Sequence, residues 1–219
     1  MHNTVKNLIY IEDEIKSIVN DMGNNKLPKI IAVSKTFNMD KILPLVEHGH
    51  TDYGENKVQE ALDKWTEIKL QNTNVKLHLI GGLQTNKVKF ALKIFDYIHS
   101  LDSQKLANKI AEEQIKQGKK PKIFIQINIG NESQKSGIKK EELADFYKFC
   151  KQLNLDIIGL MCIPPAKEVS NEYFKKMFLL NKDTNLVELS MGMSSDYLQA
   201  TRNYATYLRV GSSIFGQRN

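Results

Sequence analysis

The chain has 219 residues and a net charge of +6, from 31 Lys and Arg against 25 Asp and Glu. With 41% hydrophobic and 26% charged residues it can build a packed core, which excludes an intrinsically disordered chain. No apolar run approaches the roughly 20 residues that span a bilayer, and the positive excess is lysine spread over helical segments, so neither a membrane nor a nucleic-acid partner is expected.

Residues 3–21 predict an opening helix, with Val5, Leu8, Ile9, Ile15 and Ile18 near helical spacing. Its Glu12, Asp13 and Glu14 argue against a targeting leader. Eight short strands are then predicted, over 29–34, 52–55, 76–81, 97–100, 122–129, 156–162, 186–190 and 207–210. Helical patterns lie between them, over 39–47, 56–68, 85–92, 103–117, 140–153, 170–180 and 196–203. Such alternation signals βα units on a parallel sheet, and eight of them suit a closed (β/α)8 barrel of the TIM type with an extra N-terminal helix. No G-x-G-x-x-G follows the first strand, which argues against a dinucleotide-binding fold. No Pro-, Gly- or Ser-rich linker divides the chain, so residues 1–219 are expected to form one domain. Cys150 and Cys162 form no metal spacing and suggest a reducing compartment, hence a cytoplasmic location.

Barrels of this kind place their chemistry at the C-terminal strand ends, and phosphate sites favour the loops after strands seven and eight. The first strand leads into Ser34-Lys35. The seventh leads through Ser190 to Ser194, and the eighth reads Arg209-Val210-Gly211-Ser212-Ser213. Closure puts strand eight beside strand one, so Lys35, Arg209 and two small-residue loops should meet at one rim. Lys35 follows a wholly apolar strand. It either leaves the core for water or acts as a Schiff-base lysine, its amine pKa lowered by partial burial so that it can attack an aldehyde. Gly211, Ser212 and Ser213 offer N–H groups, and Ser194 offers a hydroxyl at a predicted helix start. Together they suit a phosphate dianion; separately they read as a turn and a capping serine.

Arg209 sits inside a strand and needs an acceptor, because a buried unpaired charge is costly. A ring nitrogen, a phosphate or a carboxylate such as Glu188 would serve. Its fellow arginines, Arg202 and Arg218, also fall in the last eighteen residues. Five histidines (His2, His48, His50, His78 and His99) show no metal spacing, and His78 reads as a core histidine.

Around these residues the sequence resembles the pyridoxal-phosphate homeostasis, or proline-synthase-associated, family. The matching segments are AVSKT (32–36), YGENKVQE (53–60), HLIGGLQTNK (78–87), QKSGI (134–138), GLMCIP (159–164), LSMGMSSD (189–196) and RVGSSIFG (209–216). They run in family order over nearly the whole chain. The resemblance implies a barrel similar to the N-terminal domain of alanine racemase, with pyridoxal 5′-phosphate (PLP) as cofactor. It implies that Lys35 bonds the cofactor aldehyde, that Ser194, Gly211 and Ser212 hold the phosphate, and that Arg209 faces the pyridine nitrogen. Asn56 matches a position near the ring, and Lys135 a loop lysine without a derived role.

An arginine at the ring nitrogen has a physical consequence. Most PLP enzymes place a carboxylate there, which keeps the nitrogen protonated and the ring electron-withdrawing. A guanidinium only donates hydrogen bonds, so it favours an unprotonated ring and a weaker electron sink. That suits a carrier, or a racemase that does not need a long-lived carbanion. The favoured reading, which the family resemblance implies, is a monomeric carrier of PLP, buffering the free aldehyde and supplying apo-enzymes. The alternative is an amino-acid racemase of low activity, which needs an acid or base on each face of the substrate Cα. Lys35 would serve one face, with Tyr53 or Tyr197 as substitutes for a base that alanine racemase takes from its second domain and partner subunit.

Overall fold

Ile31 pairs with Arg209 and Ala32 with Val210, so the first and last strands lie side by side. The computed structural model describes residues 1–165 and 168–217. In it, eight strands close into a barrel in chain order: β1 (Lys29–Val33), β2 (Asp52–Glu55), β3 (Lys76–Leu79), β4 (Tyr97–Leu101), β5 (Lys122–Ile127), β6 (Asp156–Cys162), β7 (Glu188–Met193) and β8 (Tyr207–Val210). Every neighbouring pair is parallel. Helices α2 (Met39–Glu47), α3 (Val58–Gln71), α4 (Val88–Ile94), α5 (Gln104–Gln117), α6 (Leu143–Gln152), α7 (Ser170–Asp183) and α8 (Tyr197–Arg202) connect them. Single 3₁₀ turns, Thr85–Lys87 and Lys140–Glu142, precede α4 and α6. The expected (β/α)8 barrel is the observed fold.

The extra helix α1 (Asn3–Asp21) carries no acidic residue in its first turn and no basic residue in its last, so the helix dipole gives it little help. Packing holds it. Val5, Leu8, Ile11, Ile15, Ile18 and Val19 are buried along one face, each worth roughly 1.5–3 kcal/mol. That face lies against α2, α8 and a short helix α9 (Ser212–Phe215) that the sequence reading did not separate from its turn.

Alternation along the strands divides the core in two. Residues facing outward, such as Tyr53, Leu77 and Leu189, pack under the helices. A smaller cluster of Ile31, Tyr97, Phe124, Met161 and Tyr207 fills the barrel itself. Several boundaries differ from expectation, and three of them have a visible cause or consequence. β7 starts at Glu188 rather than 186, because the Leu186 carbonyl accepts the Asn181 side chain and is held in the turn that follows α7. It runs on to Met193 through an irregularity in its pairing with β8, where Gly192 takes a left-handed φ of 87°. A Cβ at Gly192 would lie 2.5 Å from that of Ala200. Finally, α3 starts at Val58 rather than 56, which leaves Asn56 in the loop after β2.

Candidate functional site

A pocket of about 440 Å³ opens at the C-terminal ends of the strands. It brings together all six predicted site residues: Lys35, Asn56, Ser194, Arg209, Gly211 and Ser212. Ser195 and Ser213 add hydroxyls, and Val33, Ile80, Ile163 and Met193 supply apolar wall. Among the described residues, no Asp or Glu lines it. A lysine, an arginine and a set of hydroxyl and amide donors thus face one space.

Lys35 is half-buried directly after β1, and both its neighbours are anchored. The Ser34 hydroxyl donates to Glu55 Oε1 at 2.7 Å, and its carbonyl accepts Lys64 Nζ at 2.8 Å. Thr36 takes a positive φ of 66°, costly for a β-branched residue, and its N–H donates to Glu60 at 2.6 Å. The strand therefore ends in a pinned turn that delivers Lys35 to the pocket wall. Asn56 is set by a close approach. A Cβ on Gly81 would lie 2.5 Å from the Asn56 carbonyl oxygen, so only glycine lets the end of β3 come this near.

Ser194 is not a helix cap. The carboxylate of Asp196 takes the Met193 N–H, and α8 begins only at Tyr197. Instead, Ser194 Oγ accepts the Gly211 N–H at 3.0 Å and the Ser213 N–H at 3.4 Å, and the Ser194 carbonyl accepts the Ser213 hydroxyl at 3.4 Å. The loops after β7 and β8 are thereby joined into one small-residue cradle.

Arg209 is only 4% exposed. Its Nη1 donates to Ser190 Oγ at 2.7 Å and its Nη2 to the Cys162 carbonyl at 2.8 Å. Among the described residues it forms no ion pair, so the carboxylate partner that Glu188 offered is not used. Burial pulls its pKa down from the arginine range, against the opposing pull of Cys162 and Asp196. The Cys162 thiol is pushed up to about 12 by burial, which makes it an inert neighbour. Ser190 and the Cys162 carbonyl were missed in the sequence. Strand alternation marks Ser190 as inward but carries no sign of its partner.

Lys135 stands outside the pocket. It pairs with Glu132 at 2.5 Å and donates to the Pro164 carbonyl at 3.1 Å, tying the loop after β5 to the loop after β6. Tyr53 and Tyr197 do not line the pocket either. Tyr53 packs outward on Trp65 with ring centroids 4.6 Å apart, and Tyr197 donates to Glu14 of α1. Arg202 is exposed in the last turn of α8, and Arg218 lies outside the described residues.

The donor set fits a phosphorylated pyridine aldehyde: an amine for the aldehyde, an N–H and O–H cradle for a dianion, and a buried guanidinium for a ring acceptor. Among the described residues, no three His, Cys, Asp or Glu side chains are grouped to hold a metal ion, and no helix is long and apolar enough to cross a membrane.

Comparison with known proteins agrees with this chemistry. The family model described as the alanine racemase N-terminal domain matches residues 7–219. The pyridoxal phosphate homeostasis protein of Haemophilus influenzae is 35% identical over 99% of this chain and 97% of its own. PipY of Synechococcus elongatus, whose structure was solved with PLP bound, superposes with a TM-score of 0.79 at 31% identity, over 92% of this chain and all of that one. Alanine racemase of Clostridium difficile shares the fold, with a TM-score of 0.74 at 17% identity, over 99% of this chain but 57% of its own. The match runs from end to end at family-level identity, and the chain belongs to the pyridoxal phosphate homeostasis protein family.

Proposed function

We propose that the pocket binds PLP and that the protein serves as an intracellular carrier and buffer of this cofactor. The observation that carries the reading is the lining itself: Lys35, Arg209 and the Ser194–Gly211–Ser212 cradle converge on one space at the C-terminal ends of the strands. When bound, the cofactor supplies an aldehyde carbon open to amine attack and a pyridine ring able to withdraw electrons. Lys35 offers the amine. Ser194, Gly211 and Ser212 receive the phosphate through hydroxyl and amide donors. Asn56, which lines the same pocket, would face the ring. Arg209 offers only N–H groups, so it selects an unprotonated ring nitrogen as its acceptor.

The same features support a carrier over a racemase. A two-base racemase needs a second acid or base opposite Lys35. Tyr53 faces the outer core and Tyr197 is held by Glu14, so neither is offered to the pocket. On this reading it works in the cytoplasm as a monomer and passes PLP to apo-enzymes.

The test is direct. Protein mixed with PLP and reduced with borohydride should carry the pyridoxyl group on Lys35 when its peptides are mapped by mass spectrometry. The loaded protein should leave D- and L-alanine unracemised. An adduct chiefly on another lysine overturns the site, and rapid racemisation overturns the carrier.

A further inference from the structure

Beneath the pocket, four polar side chains from four strands run in a line through the barrel. His78 Nε2 lies 3.0 Å from Asp52 Oδ1, and His78 Nδ1 lies 3.0 Å from His99 Nε2. His99 Nδ1 lies 2.9 Å from Ser190 Oγ, which in turn accepts Arg209 Nη1 at 2.7 Å. Both rings are fully buried, and each is stacked on an aromatic neighbour: His78 on Tyr97 at 4.1 Å and His99 on Phe124 at 4.3 Å. The stacking fixes the ring planes.

The direction of every proton in this line follows from charge. Burial raises the pKa of Asp52, but the His78 and Thr51 hydrogen bonds outweigh it and hold the carboxyl at about 2. Asp52 is therefore an acceptor only, and His78 Nε2 must donate to it. Burial pulls both histidines below their ordinary pKa, so each ring carries one proton. His78 Nδ1 is then bare and accepts from His99 Nε2. His99 Nδ1 is bare in turn and accepts the Ser190 hydroxyl. That fixes the hydroxyl rotor and leaves a lone pair for Arg209. One arrangement satisfies the whole chain, and it points from Arg209 down to Asp52.

We infer that Asp52, His78, His99 and Ser190 are positioning residues for Arg209: a directed hydrogen-bond chain down the barrel that fixes which N–H groups of Arg209 remain for an acceptor in the pocket. The role rests on the cofactor reading proposed above, while the chain itself does not. Arg209 spends one bond on this chain and one on the Cys162 carbonyl, so its plane is set by two points on different strands. Without the chain, the Ser190 hydroxyl could rotate, and the Cys162 carbonyl would be the one fixed partner of the two.

Two measurements test this. In protein labelled with ¹⁵N-histidine and free of PLP, both rings should show a protonated Nε2 and a bare Nδ1 at neutral pH, assigned with His78→Phe and His99→Phe. A doubly protonated ring, or an Nδ1–H tautomer at either position, overturns the chain. The second is a cycle of PLP affinities. Ser190→Ala should weaken PLP binding about ten-fold, the scale of one charge-assisted hydrogen bond, and by less than about two-fold once Arg209→Gln is present. His99→Phe, which keeps an aromatic ring in the stack, should follow the same pattern. Equal losses with and without Arg209, or no loss in either, overturn the positioning role. If the unaltered protein binds no PLP, the cofactor reading and the positioning role fall together, and the tautomers still decide the chain.

Discussion

Ser194 accepts the Gly211 amide at 3.0 Å, so a hydroxyl from the loop after β7 closes directly on a backbone N–H from the loop after β8. The contact sits where the barrel presents its small-residue nest, and the same hydroxyl and amide are the groups assigned to the phosphate. Removing the hydroxyl therefore removes one donor and unties the two loops. Ser194→Ala should weaken PLP binding by about 1.5–3 kcal/mol, the range for a hydrogen bond to a charged group. It should change the affinity for unphosphorylated pyridoxal little. Fluorescence titration with both ligands checks this, and equal losses for the two would place the phosphate elsewhere.

Gly81 and Gly82 offer a paired test of how the rim is built. A Cβ at Gly81 would lie 2.5 Å from the Asn56 carbonyl oxygen and 2.9 Å from Asn56 Cα, whereas one at Gly82 meets nothing within 4 Å. Gly81→Ala must push backbone against backbone, with an expected cost of about 1–3 kcal/mol as for other overpacked sites. It should also weaken PLP binding by displacing Asn56. Gly82→Ala should leave both stability and affinity within error. Thermal melts with and without PLP measure the difference, and identical behaviour of the two variants contradicts the close approach.

Much of the site was legible in the sequence because barrel closure is a strong constraint. It makes β8 the neighbour of β1, which puts Lys35 within reach of Arg209, Gly211 and Ser212 before any coordinates are known. The polar line from Asp52 to Ser190 was not legible, for a geometric reason. Alternation tells which residues point inward, but the height of each along the axis depends on the stagger between strands. Irregular pairing between Ile98 and Leu101 and between Ser190 and Met193 shifts that stagger locally. His78 could be read as a core histidine, yet its partners lie on β2 and β4 and reveal themselves only by register. Ser194 misled in another way. A serine two residues before Asp196 looks like a helix cap, but Asp196 makes the local turn and frees Ser194 for Gly211.

Acid should unfold the protein through its interior. His78 and His99 have folded-state pKa values below their ordinary 6.5 because burial disfavours the charged ring. Below pH 6.5 the unfolded chain binds protons that the folded rings resist, so stability falls as the pH drops through this value. Each such group contributes up to about 1.4 kcal/mol per pH unit. Asp52 adds a later loss. Its carboxyl, held at about 2 against an ordinary 3.8, stabilises the fold above 3.8, and that contribution disappears as the pH falls toward 2. Urea unfolding at a series of pH values should show the first decline between pH 7 and 5. His99→Phe should flatten it, and an unchanged slope would mean that His99 does not resist protonation.

The last prediction concerns why a PLP pocket would hold its cofactor without acting on amino acids. Arg209 is buried, charged and a donor only, and it reaches into the pocket from a strand it cannot leave. A ring nitrogen facing it stays unprotonated, because a second cation beside the guanidinium would be repelled at short range. An unprotonated ring withdraws electrons weakly, so loss of the Cα proton from a bound amino acid should be slow. Exchange of that proton for deuterium, followed by NMR on alanine with the loaded protein, reads the rate. Arg209→Glu gives the ring nitrogen an acceptor in place of a donor and should speed the exchange at least about ten-fold, a barrier lower by about 1.4 kcal/mol. Arg209→Gln removes the charge without supplying a carboxylate and should stay closer to the unaltered protein. Rates are compared per mole of bound PLP, since both variants lose the Ser190 and Cys162 anchors and will hold less. If the unaltered protein exchanges fast, the arginine does not restrain the ring. If Arg209→Glu and Arg209→Gln exchange alike, the ring nitrogen is not what Arg209 faces.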